Sequence, residues 1–241
     1  MWTVSTVIPE MKVFLGASPP VVPPDVLDRV EEIWRTEKGR REGAIFNGHL
    51  FSVETAEPGS IIGWLAEYKS FLAQRRDPSL YQALRVQPLA VTGLLLCDGG
   101  VVFGHRAGHV EQDAGLWELV PSGGIDGLTR KPDGSIDLVQ HLLVELAEET
   151  GIGAEEVKSP PKAFAMVSDV DSHVSDVGII LRTVLSKLGV MTAFASLENR
   201  EYVALEIIPV VQLEEFIKSR GETLAQVSTA LLEAARPLLK S

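Results

Sequence analysis

Residues 136–150 carry three glutamates, Glu145, Glu148 and Glu149, and neither a lysine nor an arginine. On an α-helix, side chains three and four apart share a face, so these carboxylates project within about 100° of arc, with His141 one turn earlier. Like charges at that spacing repel, and an ordinary solvated helix face intersperses basic residues. A hard divalent cation is the natural cure. Mg²⁺ takes oxygen ligands, keeps several waters and is held by one or two carboxylates plus substrate phosphates, with Mn²⁺ as the alternative ion. The plain reading is an acidic helix face on an acidic protein. Upstream, Leu119-Val120-Pro121-Ser122-Gly123-Gly124 ends in two residues without Cβ atoms. There the backbone can bend sharply and approach a diphosphate or a metal.

The stretch Glu145-Leu146-Ala147-Glu148-Glu149-Thr150-Gly151-Ile152, with its upstream Gly-Gly turn, resembles the second half of the Nudix box. That pattern reads G-x5-E-x7-R-E-U-x-E-E-x-G-U, where U is aliphatic, and every specified position from Glu145 onward matches. The first half departs from it. The spacing from Gly124 to Val144 exceeds the pattern by six residues, which fall in the loop-like run 127–135 with its Pro132-Asp133-Gly134 turn signal. Counting back from Val144, which replaces the box arginine, the first glutamate position falls on Ile136, beside Asp137. The resemblance implies an α/β (α+β) chain with a Nudix-type α/β/α sandwich around a mixed sheet. It also implies metal binding by Glu145, Glu148 and Glu149.

Composition narrows the partners. The chain has 241 residues, 45% of them hydrophobic and 23% charged, so it can bury a core unaided. A net charge of −11 argues against nucleic-acid backbone binding, which needs a basic patch. Anionic substrates then require a metal or local arginines. Cys97, the single cysteine, excludes an internal disulfide, and its apolar setting reads as a buried strand thiol rather than a nucleophile. No apolar run approaches 18 residues and no secretory leader is evident, so the expectation is a cytoplasmic protein without membrane association.

Residues 1–85 read as an N-terminal extension and 86–241 as the Nudix domain. In the extension, 11–15 suggests a strand, prolines at 19–24 a connector, and Asp25 the N-cap of a helix ending near Gly39. Asn47-Gly48 within 44–53 signals a hairpin, and residues 62–73 fit a helical stripe. The aromatic residues here are read as packing before a ligand platform. Phe46-Asn47-Gly48, with Tyr68-Lys69-Ser70-Phe71-Leu72 further on, resembles the Nudix enzymes of the UDP-glucose pyrophosphatase type. That resemblance makes Phe46 and Asn47 substrate-binding candidates.

In the core, residues 88–96 and 101–106 are strands joined at Asp98-Gly99-Gly100, and 163–168, 174–184 and 203–210 are further strands, 174–184 being central. Arg106, at a strand end, is placed near substrate by the resemblance and is otherwise a surface cation. Asp169, Asp171 and His173 have ligand-like spacing, although Asp and Ser in a turn explain them more simply. Residues 213–218 and 222–239 are amphipathic helices. The resemblance also implies a glutamate outside the box, for which Glu201 is the candidate.

The implied chemistry is hydrolysis of a nucleoside diphosphate linked to another moiety, with a nucleoside diphosphate sugar the preferred class. Metal held by the three glutamates neutralises the diphosphate. Glu145 or Glu201 takes the proton of the attacking water, and Gly123, Gly124 and Arg106 contact substrate. With Val144 in the arginine's place, bracing of the glutamates falls to other groups such as His141 or Arg182. The alternative is a degenerate Nudix domain that binds a nucleotide as sensor or scaffold. Homodimerisation is an expectation by resemblance only.

Overall fold

The computed structural model describes residues 2–41, 45–108, 113–198 and 200–239. Its elements in chain order are β1 (Trp2–Thr6), β2 (Lys12–Leu15), α1 (Pro24–Arg40), β3 (His49–Glu57), β4 (Ser60–Glu67), α2 (Tyr68–Arg76), α3 (Tyr81–Leu84), β5 (Leu89–Cys97) and β6 (Gly100–Arg106). There follow β7 (Trp117–Leu119), β8 (Ser122–Gly124), β9 (Ser135–Ile136), α4 (Leu138–Thr150), β10 (Lys162–Asp169), β11 (Ser175–Arg182), α5 (Lys187–Ala195), β12 (Tyr202–Ile208), α6 (Leu213–Arg220) and α7 (Gln226–Leu239).

The main sheet runs β1-β10-β11-β5-β6-β12, with β7 on β6 and β8 on β5. It is mixed, because β11 lies parallel to β5 while its other ladders are antiparallel. Both strands of that parallel pair are buried along almost their whole length, as a ladder covered on both faces requires. One face packs α6 and α7 through Leu94, Phe103, Phe216, Leu231 and Leu232. The other packs α4 and α5 through Val91, Leu95, Leu142, Leu146 and Phe194. Burying a leucine such as Leu142 contributes roughly 1.5–3 kcal/mol, so α4 is held against the sheet chiefly by its apolar stripe. The result is the expected α/β/α sandwich.

A second sheet, β3-β4-β2-β9, joins the same core through Val13, Phe51, Val53 and Ile61. Strand pairing crosses position 85 twice. β1 is an edge of the main sheet against β10, and β2 pairs with β9 from the loop that precedes α4. The six residues in excess of the box pattern therefore sit in a loop that docks on residues of the N-terminal segment.

Several local expectations are corrected. The hairpin turn is Pro58-Gly59, closed by the Glu57–Ser60 pair, not Asn47-Gly48; position 44 lies outside the described residues. Asn47 instead accepts the backbone N–H of Lys69 at 2.9 Å and donates to Glu67 at 2.7 Å, so it caps the start of α2. Residues 60–67 are strand rather than helix: Ile61, Trp64 and Ala66 face inward, and the adjacent Gly63 blurs the period-two pattern. Asp25 lies in the first turn of α1, and Pro23 occupies the cap position. By contrast Asp98-Gly99 does join β5 to β6.

Candidate active site

Helix α4 begins where the Asp137 carboxylate accepts the Gln140 N–H at 3.0 Å, and it stops at Gly151, whose φ of 74° is cheap only for glycine. Asp137 is thereby used as a cap and an ion-pair partner of Lys131. Ile136 is buried in β9 opposite Val13. Neither stands in for the first box glutamate as a site ligand. Along α4, Leu138, Leu142, Leu146 and Glu149 line the buried face. Glu149 is therefore turned inward, Glu145 lies at the margin of that face, and Glu148 is exposed.

Opposite them, β8 is laid on β5 by the pairs Thr92–Ser122 and Val91–Gly123. Ser122 N–H donates to Glu149 Oε2 at 3.0 Å. A Cβ on Gly123 would lie 2.3 Å from Glu145 Oε1, so the glycine leaves the space that this carboxylate fills. Gly124 borders open space. Burial pushes the Glu149 carboxyl well above the usual carboxylate range; the charges of Glu201, Glu118 and Glu145 push the same way, while the Ser122 N–H opposes them. Ionising a buried acid among other acids is costly unless the group is protonated or a positive charge is brought to it.

Two of those acids come from elsewhere. Glu118 is buried on β7, where Arg106 donates to it at 2.5 Å, Tyr202 Oη–H at 2.5 Å and Ser122 Oγ–H at 3.3 Å. Burial raises its carboxyl, against the pull of Arg106 and Tyr202. The other Arg106 terminal nitrogen donates to Glu201 at 2.5 Å. Tyr202 Oη lies 3.3 Å from Glu149 Oε1, and the ring is fully buried. Thus Glu145 and Glu149 face the β8 turn, Arg106 is turned onto Glu118 and Glu201, and Glu148 is exposed. Glu118 and Tyr202 were missed in the sequence. A glutamate between Trp117 and Leu119 was the available signal, since an acid in an apolar strand has to be paired.

Phe46 is exposed above Gly48, and the Asn47 amide is engaged by Glu67 and Lys69. Tyr68 N–H also bonds Gly48 at 2.8 Å. The two short motifs of the extension therefore meet each other, at α2, rather than at the glutamates. Asp169 accepts Ser172 N–H and Oγ–H, which is the turn reading of that loop, and His173 stacks on Tyr81. Cys97 is half-buried on β5.

The donor set at α4 is entirely hard oxygen, as Mg²⁺ or Mn²⁺ requires. The Gly123 cradle and the cluster of acids around buried Glu149 fit such an ion. Among the described residues no three His, Cys, Asp or Glu side chains already converge at ligating distance, so binding entails side-chain rotation. Cavities of about 250 Å³ beside Lys12 and Asp137 and about 370 Å³ beside Gln87 and His173 are not lined by the box glutamates. No described helix is long and apolar enough to cross a membrane.

Mixed sheet, flanking helices and a glycine turn facing an acidic helix together define an α/β/α sandwich with its carboxylates gathered at one sheet-edge turn. No family model and no curated protein matches the chain. Among solved structures it is similar to the DR0079 protein of Deinococcus radiodurans, at 14% identity over 78% of this chain and 99% of that one, with a TM-score of 0.50. It is also similar to the Nudix domain of Shewanella oneidensis NrtR complexed with ADP ribose, at 20% identity over 68% and 98% of the two chains, with a TM-score of 0.43. A third is a bifunctional NMN adenylyltransferase/ADP ribose pyrophosphatase from Francisella tularensis, complexed with AMP and a manganese ion. There identity is 14% over 71% of this chain and 49% of that one, with a TM-score of 0.42. The chain has the Nudix fold.

Proposed function

We propose that the chain is an Mg²⁺-dependent hydrolase that cleaves the diphosphate of a nucleoside diphosphate joined to another moiety, with a nucleoside diphosphate sugar as the preferred class. The observation that carries this reading is that two box glutamates face the glycine turn, Glu145 filling the space at Gly123 and Glu149 accepting the Ser122 N–H. The ADP ribose and AMP bound by two structures of the same fold agree with the substrate class.

In this reading Glu145, Glu148 and Glu149 hold the ion, which when bound neutralises phosphate charge and makes a bound water more acidic. The chain's residues do the rest. Glycines at 123 and 124 let the diphosphate come close to the backbone. Glu145 takes the water's proton: it has no hydrogen bond among the described residues, and His141 Nε2 lies 3.3 Å from its Oε1. Glu201, by contrast, already accepts an Arg106 N–H.

A second reading, a degenerate domain that binds nucleotide without turnover, is favoured by Val144 and by the burial of Ile136 where the box has its arginine and first glutamate. The experiment is phosphate release from nucleoside diphosphate sugars, ADP-ribose, dinucleotide polyphosphates and nucleoside triphosphates, with Mg²⁺ and a coupled phosphatase. Turnover of one class that Glu148→Gln and Glu149→Gln both abolish supports the hydrolase. A silent panel with calorimetric nucleotide binding selects the degenerate domain.

A further inference from the structure

We infer that Arg106 is the positioning cation of the carboxylate site, performing from β6 the bracing that the box pattern gives to the residue before Glu145. The inference rests on the metal-site reading above. Position 144 is a valine, 41% exposed, with no polar atom to offer. Of the substitutes expected from sequence, Arg182 is exposed at the far end of β11. His141 Nε2 approaches Glu145 but lacks hydrogen-bond geometry.

Arg106 is different in kind. Its side chain is 11% exposed, and its two terminal nitrogens grip two separate carboxylates, Glu118 and Glu201, each at 2.5 Å. A planar fork can do this; a single ammonium cannot hold both in fixed directions. Through Glu118 the effect reaches the box. Tyr202 Oη carries one proton and lies between Glu118, at 2.5 Å, and Glu149, at 3.3 Å. While Arg106 fixes Glu118, that proton has a fixed acceptor and the Tyr202 ring is held, so Glu149, anchored by the Ser122 N–H, packs against a wall that does not move. Arg106 thus sets Glu201 directly and Glu149 through Glu118 and Tyr202.

A competing expectation has the opposite sign. If Arg106 were only a nearby positive charge, removing it would relieve repulsion and tighten cation binding. If it positions the ligands, removing it weakens binding, and outer-shell partners of this type are worth about 10–100-fold in metal affinity. Mn²⁺ binding, followed by water-proton relaxation on the full chain without substrate, separates the two.

We expect Arg106→Met to weaken Mn²⁺ binding about 10–100-fold and Arg106→Lys to restore it only in part. Because Arg106→Met leaves Glu118 buried and unpaired, the double variant Arg106→Met/Glu118→Gln supplies a folded background. It removes the stranded charge, but an uncharged amide that no guanidinium fixes leaves Tyr202 and the wall beside Glu149 unheld, so weakened Mn²⁺ binding is expected there too. Affinity equal to or tighter than wild type in the folded double variant overturns the assignment while leaving the metal reading intact. Absence of Mn²⁺ binding by the wild type overturns both.

Discussion

Asp176 offers a test whose size follows directly from its surroundings. It sits on β11, 5% exposed, between Ala90 of β5 and Val167 of β10. Thr92 Oγ1–H donates to Oδ2 at 2.9 Å, and Oδ1 has no hydrogen-bond partner. Burial pushes its carboxyl from 3.8 up to about 7; the Thr92 bond opposes this and the Glu118 charge adds to it. The folded state therefore binds a proton more tightly than the unfolded state. Stability from this group is complete below pH about 4 and is lost as pH rises toward about 7. About three pKa units at 1.36 kcal/mol each make the ionised side chain a cost of about 4 kcal/mol above pH 7.

Asp176→Asn keeps the acceptor for Thr92 and removes the charge. Its new amide N–H₂ introduces a donor penalty, but that offset does not change with pH. Urea unfolding of both proteins at pH 5, 6, 7 and 8 gives the difference in stability at each pH, from which titrations common to both cancel. The variant should gain on the wild type by about 1.4 kcal/mol per pH unit up to pH 7, about 3 kcal/mol in all from pH 5, and then level off. A difference that stays flat from pH 5 to 8 would refute the argument, because it would mean that Asp176 ionises as easily folded as unfolded.

Two glycines give contrasting expectations. At Gly123 an added Cβ meets the end of the Glu145 side chain, 2.3 Å from Oε1, so Gly123→Ala should leave the urea midpoint close to wild type. The same change should weaken Mn²⁺ binding and turnover at least several-fold, and unchanged Mn²⁺ affinity would show that the cradle is unused. At Gly178 the added Cβ falls 2.5 Å from the Phe164 ring and 2.6 Å from Leu231 in the packed core. Gly178→Ala should therefore cost about 1–3 kcal/mol by urea unfolding, without a change in metal affinity after correction for the unfolded fraction.

What the sequence made legible was local. The α4 glutamates, the glycines before them, the Asp98-Gly99 turn and the apolar run of β11 each announce themselves within a window of ten or so residues. β1 did not, because its residues from Thr3 to Thr6 are exposed and carry no alternation of burial. α5 was hidden by Gly189 and by the small number of its buried side chains, Val190 and Phe194. The Asn47-Gly48 pair misled because the same dipeptide that suits a tight hairpin also suits a cap, and only the distant Lys69 decides between them. At the site, Glu145, Glu148 and Glu149 were read from spacing. The grip of Arg106 on Glu118 and Glu201 spans up to 95 positions, a pairing that no local pattern encodes.

The edge strand β1 has one more consequence, for the order in which a growing chain can fold. Thr3 bonds Ser168 across 165 positions, so β1 finds its ladder only after the whole stretch between them has been synthesised. At roughly 5–20 residues per second, translation keeps it waiting on the order of ten seconds. Throughout that interval Trp2-Thr3-Val4-Ser5-Thr6 is an uncharged, β-prone segment without a partner, free to pair with any other strand edge it meets. One edge of the main sheet is thus made long before the strand that will hold it.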